Sequence, residues 1–284
     1  MIVDVHVHLF SPEVRRRRER YAAWDPAFGA IYADPRARMA GPEELLEAME
    51  ADGVELALVC GFPWQDEGIC EQENAFLLET CARFPRLLPL VTVSARAGER
   101  AVQELERCLR AGARGLGEMA PGTYGDRLEL EPLLPLLEAL RRWGGLLLVH
   151  VNEPVGHAYP GKGRVCLREV ERLVMASRGL DLVLAHWGGG LLFYELMPEL
   201  RRACERVYYD TAASPLLYRP EVFRVATMLA PERVLLGSDF PLLRPRRYLE
   251  QLEGLPDEVR RMIAGENARR LLRVDAGQAD HPLP

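Results

Sequence analysis

Eight short apolar runs recur along this chain of 284 residues, and each is followed by an amphipathic stretch of helical length. Such apolar runs are not typical of a sheet with one solvent-exposed face. They indicate parallel strands covered by helices on both faces. An alternation of eight such units over about 250 residues is typical of a closed (β/α)8 barrel. The predicted strands span residues 2–8, 54–60, 87–93, 113–118, 145–151, 181–186, 206–210 and 233–238. We therefore predict an α/β protein with a single (β/α)8 TIM barrel, rather than a doubly wound sheet, because no glycine fingerprint follows the first strand.

The segments outside this alternation have their own signatures. Residues 9–40 form a connection too long for an ordinary loop, and we expect them to form a lid over the barrel mouth. Residues 244–273 read as two or three extra C-terminal helices, whereas the polar tail 275–284 is predicted to be flexible. No internal repeat or linker interrupts the chain, so one barrel domain is predicted over residues 1–274.

Charge and cysteine usage narrow the class of protein. The formal net charge of -6 at pH 7 argues against a nucleic-acid partner, which normally requires a basic face. No stretch reaches the roughly 18 apolar residues of a membrane span, and the first strand begins too early to leave room for a signal peptide. The six cysteines lack the short spacings of zinc ribbons or disulfide scaffolds. We expect a cytoplasmic protein that acts on a small molecule, and a homo-oligomer is left open.

Four of the six histidines lie at the ends of predicted strands. His6 and His8 lie two residues apart on the first strand, and alternate residues of a strand point to the same face. His150 and His186 close the fifth and sixth runs, and Asp239 follows the eighth. Because the carboxyl ends of all barrel strands open onto one mouth, we expect these five side chains to converge.

The residue types expected at this mouth are those of a catalytic metal site. Imidazoles with one or two carboxylates suit Zn²⁺, and also Mn²⁺ or Fe²⁺. A bound ion lowers the pKa of its water to about 7 and so supplies hydroxide at neutral pH. A neighbouring carboxylate or imidazole can then move protons between that water and the substrate. The sequence therefore predicts a metal-dependent enzyme.

The order of these motifs resembles that of the amidohydrolase superfamily. The resemblance runs from DVHVH at residues 4–8, through His150 and His186, to GSDFP at 237–241 and GENARRLL at 265–272. The chain looks most similar to the amidohydrolase-related branch, which includes aminocarboxymuconate semialdehyde decarboxylase and other non-oxidative decarboxylases. That branch begins at the barrel, without the flanking β-sandwich of many amidohydrolases.

The resemblance also implies roles for individual side chains. By it, His6, His8, His150 and Asp239 would be the ligands of one ion, most commonly Zn²⁺. His186 would lie beside the metal-bound water and, together with Asp239, would be catalytic by moving protons.

Glu118 departs from the simple match. No lysine closes the fourth strand, which excludes a carbamylated lysine bridging two metals there. Glu118 stands at that position instead, as in TatD-like metal-dependent nucleases, where a glutamate can bridge two ions. Glu118 is therefore a further candidate ligand, and with it His150 and His186 could hold a second ion. One ion is favoured, and two are left open.

The loops after strands 1, 2, 5 and 7 are predicted to select the substrate. Lys162 is the only lysine among the 36 basic residues, and a lone ammonium beside His157 can hold a carboxylate or phosphate. Trp64 and Tyr159 are further predicted lining residues. The alternative for the loop around Lys162 is a rigid connector, rich in Pro and Gly, with incidental polar residues.

For the reaction, we expect a metal-dependent hydrolase that directs metal-activated water at the carbonyl-type carbon of a small amide, ester or lactone. Three alternatives stay open. They are non-oxidative decarboxylation of an unsaturated or aromatic carboxylic acid, phosphoester hydrolysis at a binuclear site, and a non-catalytic metal-binding barrel. One fold and one cluster can serve many reactions, so the sequence defines the site better than the substrate.

Overall fold

The computed structural model describes residues 1–121 and 127–274. Its centre is an eight-stranded parallel sheet whose strands pair in the order of the sequence. The strands are β1 (Ile2–His8), β2 (Val54–Cys60), β3 (Leu87–Val91), β4 (Gly115–Met119), β5 (Leu146–Val149), β6 (Leu182–Leu184), β7 (Val207–Asp210) and β8 (Val234–Leu235). The chain after β8 returns to β1, because Val5 N donates to Leu236 O at 2.9 Å and Val7 pairs with Phe240. The sheet thus closes into the predicted (β/α)8 barrel.

Helices surround this barrel. In chain order they are α1 (Pro12–Arg16), α2 (Arg18–Trp24), α3 (Pro26–Tyr32), α4 (Pro42–Asp52), α5 (Glu67–Arg83), α6 (Glu99–Arg110), α7 (Leu134–Trp143), α8 (Leu167–Ala176), α9 (Pro198–Ala203), α10 (Ser214–Leu217), α11 (Glu221–Leu229), α12 (Arg246–Leu252), α13 (Asp257–Arg261) and α14 (Asn267–Leu272). Short 3₁₀ turns lie at Ala95–Ala97 and Glu131–Leu133, and a π turn lies at Met262–Glu266. Within the described ranges, no helix is long and apolar enough to cross a membrane.

Element boundaries differ from the prediction in two instructive places. The amphipathic pattern of the sequence predicts a helix over 73–84, but α5 begins at residue 67, because Asp66 accepts a hydrogen bond from Ile69 N and caps it. The same kind of pattern predicts one helix over 191–204, but this segment divides into a 3₁₀ segment and α9. Met197 is extended, as residues before proline commonly are, and Pro198 then begins a new helix.

The C-terminal helices close the end of the barrel at which β1 begins. Ala268, Leu271 and Leu272 of α14 pack with the apolar side chains inside the barrel. Asn267 Nδ2 donates to the carbonyl oxygens of Pro231 and Val234, at 2.8 and 2.7 Å, and so ties α14 to the approach of β8. The additional helices expected after the last strand therefore seal the barrel opposite its mouth.

The long connection after β1 forms α1, α2 and α3, which lie against the barrel mouth as the predicted lid. An aromatic cluster, here called the lid cluster, joins this segment to the loop after β2. Its members are Phe10, Tyr21, Phe28, Tyr32, Phe62 and Trp64. Asp25 caps α3 through Phe28 N and also accepts from Gln65 N at 3.0 Å, so the lid is tied to the same loop by hydrogen bonds. The tail predicted to be flexible, 275–284, lies outside the described residues.

Candidate metal centre

Three side chains meet at the seam between β1 and β8, on the floor of the barrel mouth. His6 and His8 project from the same face of β1, and their Nε2 atoms lie 3.0 Å apart. Asp239 follows β8, and its Oδ1 lies 3.4 Å from His8 Nε2 and 3.8 Å from His6 Nε2. Two imidazole nitrogens and one carboxylate oxygen therefore surround a single point, with the spacing of a metal-binding group.

A second group lies beside the first, at the ends of β4, β5 and β6. Glu118 Oε1 lies 2.9 Å from His150 Nδ1 and 3.7 Å from His186 Nε2, and these two nitrogens are 3.1 Å apart. Glu118 also links the groups, because its carboxylate lies 3.6 Å from His6 Nε2 and 3.5 Å from His8 Nε2. The resemblance grouped His150 with His6 and His8, whereas the structure places it with Glu118 and His186.

Buried acceptors fix the ring orientation of two histidines. Asp210, fully buried at the end of β7, places Oδ2 2.8 Å from His6 Nδ1. The carbonyl oxygen of Ala212 lies 3.0 Å from His186 Nδ1. Because both partners only accept hydrogen bonds, the hydrogen of each neutral ring lies on Nδ1. The Nε2 lone pairs of His6 and His186 therefore face the cluster.

His150 is oriented the other way by an amide. Gly163 N donates to Asn152 Oδ1 at 2.6 Å, so the amide nitrogen of Asn152 must face His150 Nε2, 2.8 Å away. His150 Nε2 accepts that bond, and its ring hydrogen consequently lies on Nδ1, pointing at Glu118. A cation between Glu118 and His150 would require this ring to give up that hydrogen, which favours the first group as the ion-binding one.

Two of the six cluster residues have strained backbones. Asp239 has φ of 59° and His186 has φ of 54°, in the left-handed region that residues with a Cβ rarely adopt. The surroundings hold both in place: Asp239 N donates to His6 O at 2.8 Å, and His186 N donates to Asp210 Oδ1 at 2.9 Å. Strained residues persist only where such contacts over-determine them, and they concentrate at functional sites.

The electrostatics of the floor favour a bound cation. Burial alone would raise the pKa of Glu118, but His150 and His6, when protonated, hold it well below its usual range. Burial likewise opposes ionisation of Asp239, yet the hydrogen bond to His8 and the charge of protonated histidines lower its pKa to about 2. The two buried carboxylates thus stay ionised only because positive charge lies beside them, a requirement that a bound cation also meets once the histidines are neutral.

A cavity of about 400 Å³ opens above the two groups. Small-molecule sites commonly occupy about 300–1,000 Å³. Apart from the cluster, the wall is formed by Ile31, Tyr32, Ala37, Arg38, Phe62, His157, Tyr159, Pro160, Gly161, Ala213, Leu216, Leu217, Pro241 and Leu242. Apolar groups dominate this wall, so the cavity suits a small organic molecule with a polar end directed to the floor.

The structure places two of the four predicted substrate contacts in this wall and two elsewhere. His157 and Tyr159 line the cavity. Lys162 does not: its Nζ donates to Val155 O at 2.6 Å and His157 O at 2.9 Å, which holds the loop that carries His157. Trp64 is buried in the lid cluster, stacked on Phe28 in α3 with 4.7 Å between ring centroids.

Most of the wall was absent from the sequence-based prediction, including Tyr32, Arg38 and Phe62. Tyr32 and Arg38 come from the lid, and Phe62 takes the position expected for Trp64. No periodic pattern identifies the lid residues that face the cavity, because α3 has only seven residues and Arg38 lies outside any helix. The alternation of a strand also gives no guidance at 61–64, because β2 ends at Cys60.

The donor set fits the expected divalent cation. The neutral His6 ring directs the lone pair of Nε2 to the cluster, while Nδ1 donates a hydrogen bond to the buried carboxylate of Asp210. Histidine ligands of metals are commonly held in this way. His8 Nε2 and Asp239 Oδ1 lie within 4 Å of His6 Nε2, and Glu118 stands beside them. Nitrogen and carboxylate donors of this kind suit Zn²⁺, Mn²⁺ and Fe²⁺.

A protein-family model described as amidohydrolase matches residues 3–274. The chain belongs to the amidohydrolase family. The match spans all eight strands and both histidine groups, and it agrees with the resemblance seen in the sequence. This amidohydrolase-family member is therefore an enzyme, as predicted.

Named relatives of this family member have one reaction in common. The chain is 19% identical to 2-amino-3-carboxymuconate-6-semialdehyde decarboxylase of Dictyostelium discoideum, over 96% of this chain and 92% of that protein. Its structure is similar to 5-carboxyvanillate decarboxylase from Sphingomonas paucimobilis, with a TM-score of 0.78, 18% identity, and coverage of 96% and 99% of the two chains. A 5-carboxyvanillate decarboxylase from Novosphingobium aromaticivorans, complexed with manganese and 4-hydroxy-3-methoxy-5-nitrobenzoic acid, has a TM-score of 0.75, 16% identity, and coverage of 96% of each chain.

These comparisons correct the expected reaction. The prediction of a hydrolase is wrong, because the relatives reported above are named as decarboxylases, and they agree better with the alternative of non-oxidative decarboxylation. The physical reason for the error is that the same floor serves both reactions. A cation bound by histidines and carboxylates polarises a substrate oxygen whether or not water is the reactant.

Proposed function

We propose that this amidohydrolase-family enzyme is a metal-dependent decarboxylase that removes CO₂ from a small aromatic or otherwise unsaturated carboxylic acid. The main support is the cavity of about 400 Å³, in which apolar walls lie between a cation-attracting floor and one arginine. A planar acid can place its ring between these walls and its oxygens at the two charged ends. The decarboxylase relatives support the same reaction class.

Arg38 supplies the positive end of the wall. It is the one Arg or Lys among the described residues that line the cavity, and none of the ion pairs or hydrogen bonds within the described chain involves it. Arg36, two residues earlier, is paired with Asp34 at 2.6 Å. An unpaired guanidinium at the rim of an apolar cavity is well suited to bind a carboxylate, with two parallel hydrogen bonds.

The floor would hold one divalent cation, with His6, His8 and Asp239 as ligands and Glu118 adjacent. Manganese, present in a relative's complex, and zinc both fit this donor set. When bound, such a cation supplies Lewis-acid polarisation of a substrate oxygen. Asp210 keeps His6 Nε2 free to bind it, by holding the ring hydrogen on Nδ1.

Decarboxylation requires a proton at a defined place. The carbon–carboxylate bond breaks, CO₂ leaves, and the carbon that keeps the electron pair takes up one proton. His186 is placed to carry that proton on Nε2, because Nδ1 is engaged with Ala212 O while the ring lines the cavity. Asp239, which also lines the cavity, can accept a proton from a substrate hydroxyl.

The test is direct product analysis. The full-length protein, loaded with manganese or zinc, would be incubated with 5-carboxyvanillate, 2,6-dihydroxybenzoate and related acids, and CO₂ and the remaining arene would be quantified by mass spectrometry. We expect one CO₂ per product, no reaction in chelator-treated protein, and one deuterium at the vacated carbon in D₂O. Absence of CO₂ from every acid, in protein shown to hold metal, would refute the proposal.

A further inference from the structure

The hydroxyl of Tyr32 lies in the cavity without a partner in the protein. Tyr32 ends α3, its side chain is 9% exposed, and it lines the cavity with Glu118 and Asp239. Within 1–121 and 127–274, no hydrogen bond engages its hydroxyl, and the oxygen is not among the fully enclosed polar atoms. A largely buried tyrosine normally finds a partner for its hydroxyl, so this one is left for something that enters the cavity.

The ring of Tyr32 is fixed from behind. Its centroid lies 5.0 Å from that of Phe10, 4.8 Å from Phe28 and 6.0 Å from Phe62, so the lid cluster surrounds it on several sides. Helix α3 in turn is anchored through Asp25. A hydroxyl on such an immobilised ring loses little conformational entropy when it binds a ligand, which favours a directed hydrogen bond.

The protonation state of Tyr32 determines whether its hydroxyl can donate a hydrogen bond. Burial raises the pKa of the Tyr32 hydroxyl above its ordinary value, so the phenol stays protonated at neutral pH. The Tyr32 hydroxyl therefore remains a hydrogen-bond donor. The other polar groups near it, on the cavity floor, are the carboxylates and histidines proposed to bind the cation.

We propose that Tyr32 donates a hydrogen bond to an oxygen of the acid bound in the cavity, acting with Arg38 from the same lid segment. Two donors, six positions apart on one connection, then recognise separate oxygens of a polyoxygenated arenecarboxylate. This inference rests on the proposed function, because the ligand is the acid whose decarboxylation is proposed.

The experiment measures binding rather than turnover. The probe is 4-hydroxy-3-methoxy-5-nitrobenzoic acid, titrated by calorimetry into manganese-loaded full-length protein and its variants. Tyr32→Phe keeps the ring and removes the donor. Tyr21→Phe is the matched control, since Tyr21 belongs to the same lid cluster, has its hydroxyl 3.5 Å from Gln72, and does not line the cavity.

We expect Kd for the probe to rise about 10- to 100-fold in Tyr32→Phe, the range for hydrogen bonds to charged or polarised groups, and to stay unchanged in Tyr21→Phe. Equal affinity in wild type and Tyr32→Phe would overturn the inference and leave the proposed function standing. An equal loss in both variants would also overturn it, because cluster packing would then be responsible. Failure of wild type to bind any arenecarboxylate would overturn both proposals together.

Discussion

The floor and the wall of the cavity are built in different ways. The floor residues lie on β1 or directly at the ends of other strands, and His6, Glu118 and His186 are 0, 7 and 4% exposed. The wall residues Arg38 and His157 come from long connections and are exposed. The floor is therefore fixed by the barrel's hydrogen-bonded strands, and the wall by a few loop contacts. Changes to the floor should impair metal binding and turnover together, whereas changes to the wall should impair substrate binding alone.

The largest effect is expected from Asp239→Asn. Asparagine tolerates the left-handed backbone at this position, so the variant removes the charge without adding strain. We expect manganese affinity to fall by more than about 100-fold, beyond the range typical of outer-shell changes, and decarboxylation to fall with it. Metal per chain by elemental mass spectrometry and the rate of CO₂ release test this. Full metal occupancy with normal turnover would show that the floor is not the metal site.

A smaller loss is expected when the residue behind the ligand is changed. Asp210→Asn keeps an acceptor for His6 Nδ1 but removes the charge that supports the ring, and we expect about 10- to 100-fold weaker manganese binding. Asp52→Asn is the control, because Asp52 pairs with Arg244 at 2.7 Å and does not line the cavity. Competition titration with a chromogenic chelator would compare them; the same loss in both variants would indicate general destabilisation.

The wall should behave differently. We expect Arg38→Gln to raise KM for the acid about 10- to 100-fold, the loss typical of a charge-assisted hydrogen bond, with metal content unchanged. Arg36→Gln, which removes a neighbouring but exposed and already paired arginine, should leave KM unchanged. Steady-state kinetics on both variants test this. If Arg38→Gln lost metal instead, the proposed separation of floor and wall would be wrong.

The smallest effect is expected at Lys162. Lys162→Met removes two hydrogen bonds that hold the loop bearing His157, and we expect KM to rise by about 3- to 10-fold, from about 1 kcal/mol for a net hydrogen bond. Lys162→Arg keeps the charge, but a planar guanidinium cannot reproduce both bonds, so a similar rise is expected. Normal kinetics in Lys162→Arg would restore the sequence-based hypothesis that Lys162 acts through its charge on the substrate.

The sequence was sufficient for the barrel and for the composition of the floor. Apolar runs identify strands through a physical requirement for burial, and a residue at a strand end has a known position in a closed barrel. His6, His8, His150, His186 and Asp239 could therefore be brought together before any coordinates. The sequence could not show which of them share a binding group, because that depends on ring orientation. Asn152 and Gly163, in the irregular loop after β5, set the ring of His150.

The wall was predicted less well, because its residues do not lie at strand ends, where the position of a side chain in the barrel is known. Tyr32 ends a helix of only seven residues, and Arg38 and Phe62 lie outside helices and strands, so no local pattern indicates which side chains face the cavity. Lys162 drew attention as the only lysine of the chain, yet its amine donates hydrogen bonds to carbonyl oxygens of its own loop. The reaction was missed because it depends on the substrate that the wall admits more than on the floor.

The seam between β1 and β8 joins the first and last strands of the barrel. Asp4 Oδ1 accepts hydrogen bonds from His6 N and from Ser238 N, at 3.2 and 2.9 Å, and so ties the first ligand strand to the turn before Asp239. During synthesis, a ribosome must therefore release about the first 240 residues before the histidines made at the outset meet their carboxylate, since proteins fold as the chain emerges. The proposed ligand set is then complete only after the last strand of the barrel has formed, and fragments truncated before residue 239 would lack its carboxylate.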